Sequence, residues 1–323
     1  MYTKLVAALL IVYTCNQLIY HFVSYIIMKH YITHISNIEE DILKLKTKLN
    51  AKLISHHFQD SEVIDIVDFI GSTAEIIRYI ETIENNNILL ATTIKVAELI
   101  NKFFPDRNII IPRQCSYYQL DEAKIVDFLQ SKKKLANIGI LAHLNSSNSL
   151  KTIANHVFTI SNIEQILDEC DSFDEILLIG SKNLGRYFSK RFAKPITGVL
   201  NYKDFHASFS EASLIKVKAG HPTAIIIAHP ECSERVLEYA DFVGSNRQLI
   251  EYVKNYRSEQ FIVLAEPSII YIMQNNSDNV YLDVPRINAQ GRFESNFFSE
   301  LHTNLDEIYN CLKEFDARLI EGS

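Results

Sequence analysis

This 323-residue chain has no tryptophan and little glycine, proline or cysteine, with nine, seven and five residues of each. Each shortage excludes something. The nine glycines form neither a GxGxxG nor a GxxxxGK[ST] run, so there is no dinucleotide fingerprint and no phosphate loop of that type. Any phosphate must be held by other donors. The five cysteines, Cys15, Cys115, Cys170, Cys232 and Cys311, are odd in number, scattered and free of any CxxC pair. That argues against a disulfide framework and fits a reducing cytoplasm. No basic stripe or tail exists: 32 basic and 39 acidic residues are mixed along the chain for a net charge of −7, so a nucleic-acid partner is not expected. With 47% hydrophobic content the chain can bury an ample core, and a small-molecule function follows by elimination.

What is present is a repeat. Three apolar runs stop at a histidine with near-equal spacing: LISH at His56, ILAH at His143 and IIAH at His229. In each copy a polar loop, a helix and a second strand lead to a small hydroxyl residue, at Ser72, Thr159 and Ser245. A further strand follows, ending at Ala91, Ile179 or Ala265, then another helix and a last strand, ending at Pro112, Leu200 or Pro285. Short Val/Ile/Leu runs alternating with helical stretches read as parallel strands buried on both faces. The expected fold class is therefore α/β, with three repeated α/β units around a shared centre. The units are expected at 31–125, 126–212 and 213–290, with a C-terminal helical segment at 291–323 packing back on the first. Residues 1–30 stand apart as an apolar extension. Its length allows a membrane span, Asn16, Gln17 and His21 interrupt it, and no small-residue cleavage site follows. It reads as a membrane anchor, an extra packed helix, or the product of an upstream start codon with Met28 as the true start. Membrane contact is expected only there.

Ligands of open parallel sheets gather beyond the carboxyl ends of the strands, where loops meet helix N-termini. His56, His143 and His229 belong at that place, and polar residues follow each: Gln59 and Asp60, Asn145 and Ser146, Glu231. One strand-end histidine is ordinarily a satisfied polar cap. Three at matched positions point to a shared polar cavity. Ser72, Thr73, Ser161, Asn162, Ser245 and Asn246 read as helix N-caps, a role compatible with donating to a phosphate or carboxylate. Arg186, in SKNLGRY, suits either an anionic ligand or a surface ion pair.

Three segments, HHFQDSEVIDIVDFIGS, SKNLGRY and above all AHPECSERVLEYADFVGSN, resemble the quinolinate synthase family, and the likeness runs from about Ile38 to Leu312. The resemblance implies three α/β/α domains about a pseudo-threefold axis and condensation of iminoaspartate with dihydroxyacetone phosphate to quinolinate, the precursor of the NAD ring. It implies His229 and Glu231 as the acid-base pair. His143 stands where the family has a proton-transferring tyrosine, and an imidazole can also move protons. His56, Asn145, Ser161, His206 and Ser245 match substrate-binding positions. Thr73 belongs with them, as do Phe58 and Asn246, which replace an expected tyrosine and threonine. The implied partners are a dicarboxylate and a triose phosphate.

The resemblance also implies a 4Fe-4S cluster on the axis, held by one cysteine from each domain shortly after the last strand. Cys115 suits the first of these positions. Lys203 occupies the second, and Asn288 or Ala289 the third. One cysteine cannot hold a cubane, so the cluster is expected to be absent from this chain. Three readings follow: a quinolinate synthase, a cluster-less paralogue that binds a dicarboxylate or phosphorylated molecule, or an altered enzyme using Lys203 as a Schiff-base former.

Overall fold

The computed structural model describes residues 37–57, 59–112, 122–200, 205–257, 259–286 and 303–321. They group into two compact parts, one drawn from Met1–Ala51 and Asn304–Ser323, the other from Lys52–Thr303.

In the first part, helix α1 (37–48) buries Ile38, Ile42 and Lys46, a four-residue spacing that puts all three on one face. Across from it lies the chain's last helix, Leu305–Glu321, which buries Leu305, Ile308 and Leu312 in the same way. Lys48 Nζ and Asp316 Oδ2 join the two helices at 2.6 Å. Among the described residues no helix is long and apolar enough to cross a membrane, and the apolar stretch 1–30 lies outside them.

Three parallel sheets of four strands make up the second part. The first runs β1 (Ala51–His56), α2 (Ser61–Ile66), β2 (Phe69–Gly71), α3 (Thr73–Thr82), β3 (Asn87–Ala91), α4 (Ile94–Phe103) and β4 (Asn108–Ile110). After α5 (Glu122–Leu135) the second runs β5 (Ile138–His143), α6 (Asn148–Ile153), β6 (His156–Phe158), α7 (Ile163–Glu169), β7 (Glu175–Ser181), α8 (Lys182–Phe192) and β8 (Ile196–Leu200). A 3₁₀ turn at His206–Ser208 and α9 (Glu211–Gly220) lead into the third. It runs β9 (Ile225–Ala228), α10 (Glu234–Leu237), β10 (Phe242–Val243), α11 (Asn246–Val253), β11 (Gln260–Leu264), α12 (Pro267–Asn276) and β12 (Val280–Asp283), before the last helix, α13 (Leu305–Glu321). The strand order is the same in all three: second, first, third, fourth. This is the expected α/β class with three repeated units.

The sequence enforces this layering through a two-residue alternation. In β7, Ile176 and Leu178 face a core completed by Phe158, Ile163 and Phe188, while Leu177 and Ile179 face the opposite one with Leu129 and Leu150. In the third unit Ile226 and Ala228 pack with Leu214 and Val236, whereas Ile227 and Val263 pack with Leu249 and Ile269. Each fully buried aliphatic of this kind contributes about 1.5–3 kcal/mol of transfer free energy, which only helices on both faces of the sheet can secure.

The last strands of the first and third units stop at Ile110 and Asp283, short of Pro112 and Pro285. Proline lacks the N–H that would continue the ladder. In the second unit, helix and strand approach so closely that Gly185 of α8 and Gly198 of β8 have no room for a Cβ: one added at Gly185 would enter the Gly198 backbone, and one at Gly198 would meet the Ser181 carbonyl.

Candidate functional site

Each sheet has its first strand inside, with the second strand on one side and the third on the other. Chain order reverses between first and third strands, the place where ligands of open parallel sheets gather, beyond the carboxyl ends. His56 ends β1, His143 ends β5, and His229 follows β9 directly. They share one centre, since the charge His143 would carry opposes protonation of both His56 and His229, while Glu266 favours it. Burial, reinforced by His57, holds His56 down at about 3. Burial, with Lys151 nearby, holds His143 at about 4, and burial holds His57 at about 4. His229, buried and beside His206, lies well below the ordinary value. All four rings are therefore neutral at neutral pH.

The loops fix which nitrogen carries the proton. The Asn145 amide donates to His143 Nδ1 at 3.2 Å, and the Glu231 amide donates to His229 Nδ1 at 3.3 Å. A neutral ring accepting at Nδ1 has its proton on Nε2. The same His-x-polar loop in two units thus turns both rings into Nε2–H donors.

A second set of side chains closes around these loops. Thr93, Ser181 and Glu266 are the N-caps of the helices after the third strand of each unit. Thr93 Oγ1 donates to Asn145 Oδ1 at 2.9 Å, joining the first unit to the second. Ser181 Oγ donates to Glu231 Oε1 at 2.9 Å, and Asn183 Nδ2 donates to the Glu231 carbonyl at 3.0 Å, joining the second to the third. Glu266, in the third unit, sits in the electrostatic field of His56 and His57 of the first. The helix cap of each unit thus addresses the histidine loop of the next.

His206 lies between two carboxylates. Its Nδ1 is 3.7 Å from Glu231 Oε2, its Nε2 is 3.4 Å from Glu266 Oε2, and its ring stacks on His229 at 3.9 Å and 18°. Burial alone would raise the Glu266 carboxyl, but His206, with His229, outweighs it and sets the group at about 2. Glu266 is therefore an ionised carboxylate in a buried place, tolerable because imidazole faces it.

The other expected site residues divide by environment. Thr73 and Asn246 are buried at the first turns of α3 and α11. Ser245 is buried and its hydroxyl is committed to a capping box with Gln248, as that of Ser72 is to Glu75. Ser161 is exposed on the turn before α7, whose cap is Asn162. Gln59 is buried with its amide spent on the Ala91 carbonyl and the Thr303 amide. Arg186 is exposed on α8. Sequence reasoning followed the histidine loops and the caps after each second strand and passed over Thr93, Ser181 and Glu266; their shared place after each third strand was the available signal.

Phe58, Cys115, Lys203, Asn288 and Ala289 lie outside the described residues. Their identities still bear on the cluster that the family implies. One thiol, one amine and an amide or methyl do not make the donor set of a cubane, which takes three or four thiolates. The thiols described elsewhere are committed to packing. Cys170 is fully buried in the core of the second unit, and Cys232 is fully buried with its Sγ 3.6 Å from the Leu264 carbonyl. Cys311 lies on α13, where burial raises its pKa. The residues present do not fit a 4Fe-4S cluster.

The family model described as quinolinate synthetase A protein matches residues 40–321. The quinolinate synthase of Prochlorococcus marinus is 32% identical over 275 residues, covering 84% of this chain and 81% of that protein. The quinolinate synthase of Microcystis aeruginosa is 29% identical over 288 residues, covering 87% and 90%. With the histidine loops of all three units, the HPE segment and the repeated sheets in place, this chain belongs to the quinolinate synthetase A family.

Proposed function

We propose that this chain is a quinolinate synthase-type protein of NAD biosynthesis whose polar centre binds a small dicarboxylate and a triose phosphate, and that it works without a cubane cluster. The observation that carries this reading is the convergence of His56, His143 and His229, with Glu266, beyond the carboxyl ends of the three first strands. His143 and His229, neutral and with their protons on Nε2, donate to carboxylate, carbonyl or phosphate oxygen without carrying a charge of their own into the site. Asn246, buried with its Oδ1 lacking a partner, adds an acceptor for a ligand hydroxyl or amine. Glu231, steadied by Ser181 and within 3.7 Å of His206 and 3.9 Å of His229, is placed to exchange protons with them. In the family's reaction, iminoaspartate condenses with dihydroxyacetone phosphate, and such proton exchange would serve the carbon-carbon bond-forming and dehydration steps. The cytoplasm suits both the substrates and the cysteine usage.

Thermal stabilisation of the purified protein by quinolinate, by malate and by dihydroxyacetone phosphate tests the binding. Stabilisation by the dicarboxylates that is lost in His56→Ala and His143→Ala supports it, and no shift with any of the three ligands would sink it. Growth of a nicotinate-requiring cell without its own synthase tests the reaction; failure by a well-expressed protein would leave a binding protein that has lost the chemistry.

A further inference from the structure

His206, His229 and Glu231 come from two segments, the turn after β8 and the loop after β9, yet each offers a ligand atom and the three atoms lie within 4.8 Å of one another. Glu231 Oε2 is 3.7 Å from His206 Nδ1 and 3.9 Å from His229 Nδ1. Around a tetrahedral cation with bonds of about 2.0–2.1 Å, ligand atoms stand about 3.3 Å apart. Reaching that spacing needs the two imidazoles, stacked at 3.9 Å and 18°, to rotate out of parallel so that both Nδ1 lone pairs meet one cation.

The groups behind these three residues are those a metal site requires. A ligating histidine usually gives its other ring N–H to a carboxylate, and a ligating carboxylate is itself hydrogen-bonded. His206 turns Nδ1 towards Glu231 and Nε2 towards the buried carboxylate of Glu266 at 3.4 Å. Glu231 accepts the Ser181 hydroxyl on Oε1, and its Oε2 faces the two histidines. His229 is buried, and a cation would take the Nδ1 lone pair now met by the long amide bond from Glu231. Two imidazoles and one carboxylate are the donor set of catalytic zinc and of non-haem ferrous sites, with positions left for water or substrate.

We propose that His206, His229 and Glu231 bind a single divalent transition-metal cation, zinc or ferrous iron, held from behind by Glu266 and Ser181. The inference rests on the reading of this centre as the substrate site. There the cation supplies a Lewis acid where the thiolates of a cluster are missing, its ligation taking the place of the proton exchange between Glu231 and the two histidines, with open positions for a carboxylate or carbonyl oxygen.

The test uses the full chain stripped with chelator and titrated with cobalt(II), then with zinc. Expected are one cobalt per chain, visible ligand-field bands, and displacement by zinc. Glu231→Gln, which keeps the shape of the side chain, and His229→Ala should abolish the bands. Glu266→Gln should weaken binding by about 10- to 100-fold, with circular dichroism showing each variant folded. Absence of stoichiometric binding, or binding unaffected by Glu231→Gln and Glu266→Gln, overturns the proposal. So does iron with inorganic sulfide at about four per chain in anaerobically purified protein, the content of a cubane. If cobalt fails to bind while malate still stabilises the stripped protein, this inference falls and the substrate-site reading stands. If malate and quinolinate also fail, with and without metal, both fall.

Discussion

The hydroxyl of Ser181 does two things at once: it accepts from the Leu184 amide at 3.2 Å to cap α8, and it donates to Glu231 Oε1 at 2.9 Å in the next unit. One side chain thereby ties the start of a helix to a carboxylate of the candidate site. Removing it should be felt in both places.

Ser181→Ala should cost about 1–3 kcal/mol, combining a lost cap with a lost hydrogen bond to a carboxylate. Ser181→Thr keeps the hydroxyl and should retain most of that stability. Urea denaturation of both variants checks this; equal midpoints for alanine and threonine would contradict it.

Acid should destabilise the protein earlier than carboxylate titration alone would. His56, His57 and His143 have folded-state pKa values of about 3, 4 and 4 against an ordinary 6.5. Below pH 6.5 the unfolded chain takes up protons that the folded chain refuses, so stability falls as pH drops from 6.5 towards 4, and towards 3 for His56. Each unit of depression is worth about 1.4 kcal/mol. Denaturation midpoints between pH 7 and 4, as about four measurements spanning this range, should decline steeply, and His143→Asn should flatten the slope.

Glu266→Ala should be more damaging than its position on a short loop suggests. It removes one partner of a buried charged cluster and leaves the imidazole of His206 facing a void, a change that typically costs about 3–5 kcal/mol. Glu266→Gln fills the space and should cost less. Comparison of the two by chemical denaturation separates charge from volume.

Two glycine substitutions should behave oppositely. Gly198→Ala drives a methyl into the Ser181 carbonyl and should cost about 1–3 kcal/mol or more by overpacking. Because Ser181 holds Glu231, malate should also stabilise this variant less. Gly220 ends α9 with nothing within 4 Å of its would-be Cβ, so Gly220→Ala should be neutral or stabilising by up to about 1 kcal/mol. Thermal denaturation of the pair, with and without malate, provides the check.

The three α/β units were legible in the sequence because buried parallel strands write themselves as short aliphatic runs, and His56, His143 and His229 mark the same place in each. Their place beyond the strand ends followed from topology, since ligands of open parallel sheets gather where chain order reverses. Thr93, Ser181 and Glu266 were harder to read, because a threonine, a serine and a glutamate share no chemistry that a repeat search would notice. What they share is a position, a helix cap after the third strand, and only folding shows that each cap reaches a different unit. Ser161 shows the converse: the motif matched, yet the slip that makes Asn162 the cap left Ser161 exposed.

Repeat proteins that stack in a line need special end units, because the first and last copies have no neighbour on one side. Here the pairings run from Thr93 to Asn145, from Ser181 to Glu231, and from Glu266 back to the field of His56 and His57. Such a set has no terminal member. Deleting any one unit would open two junctions instead of one, so the three sheets should be inherited, folded and lost together, and a fragment of two would be no smaller version of the protein.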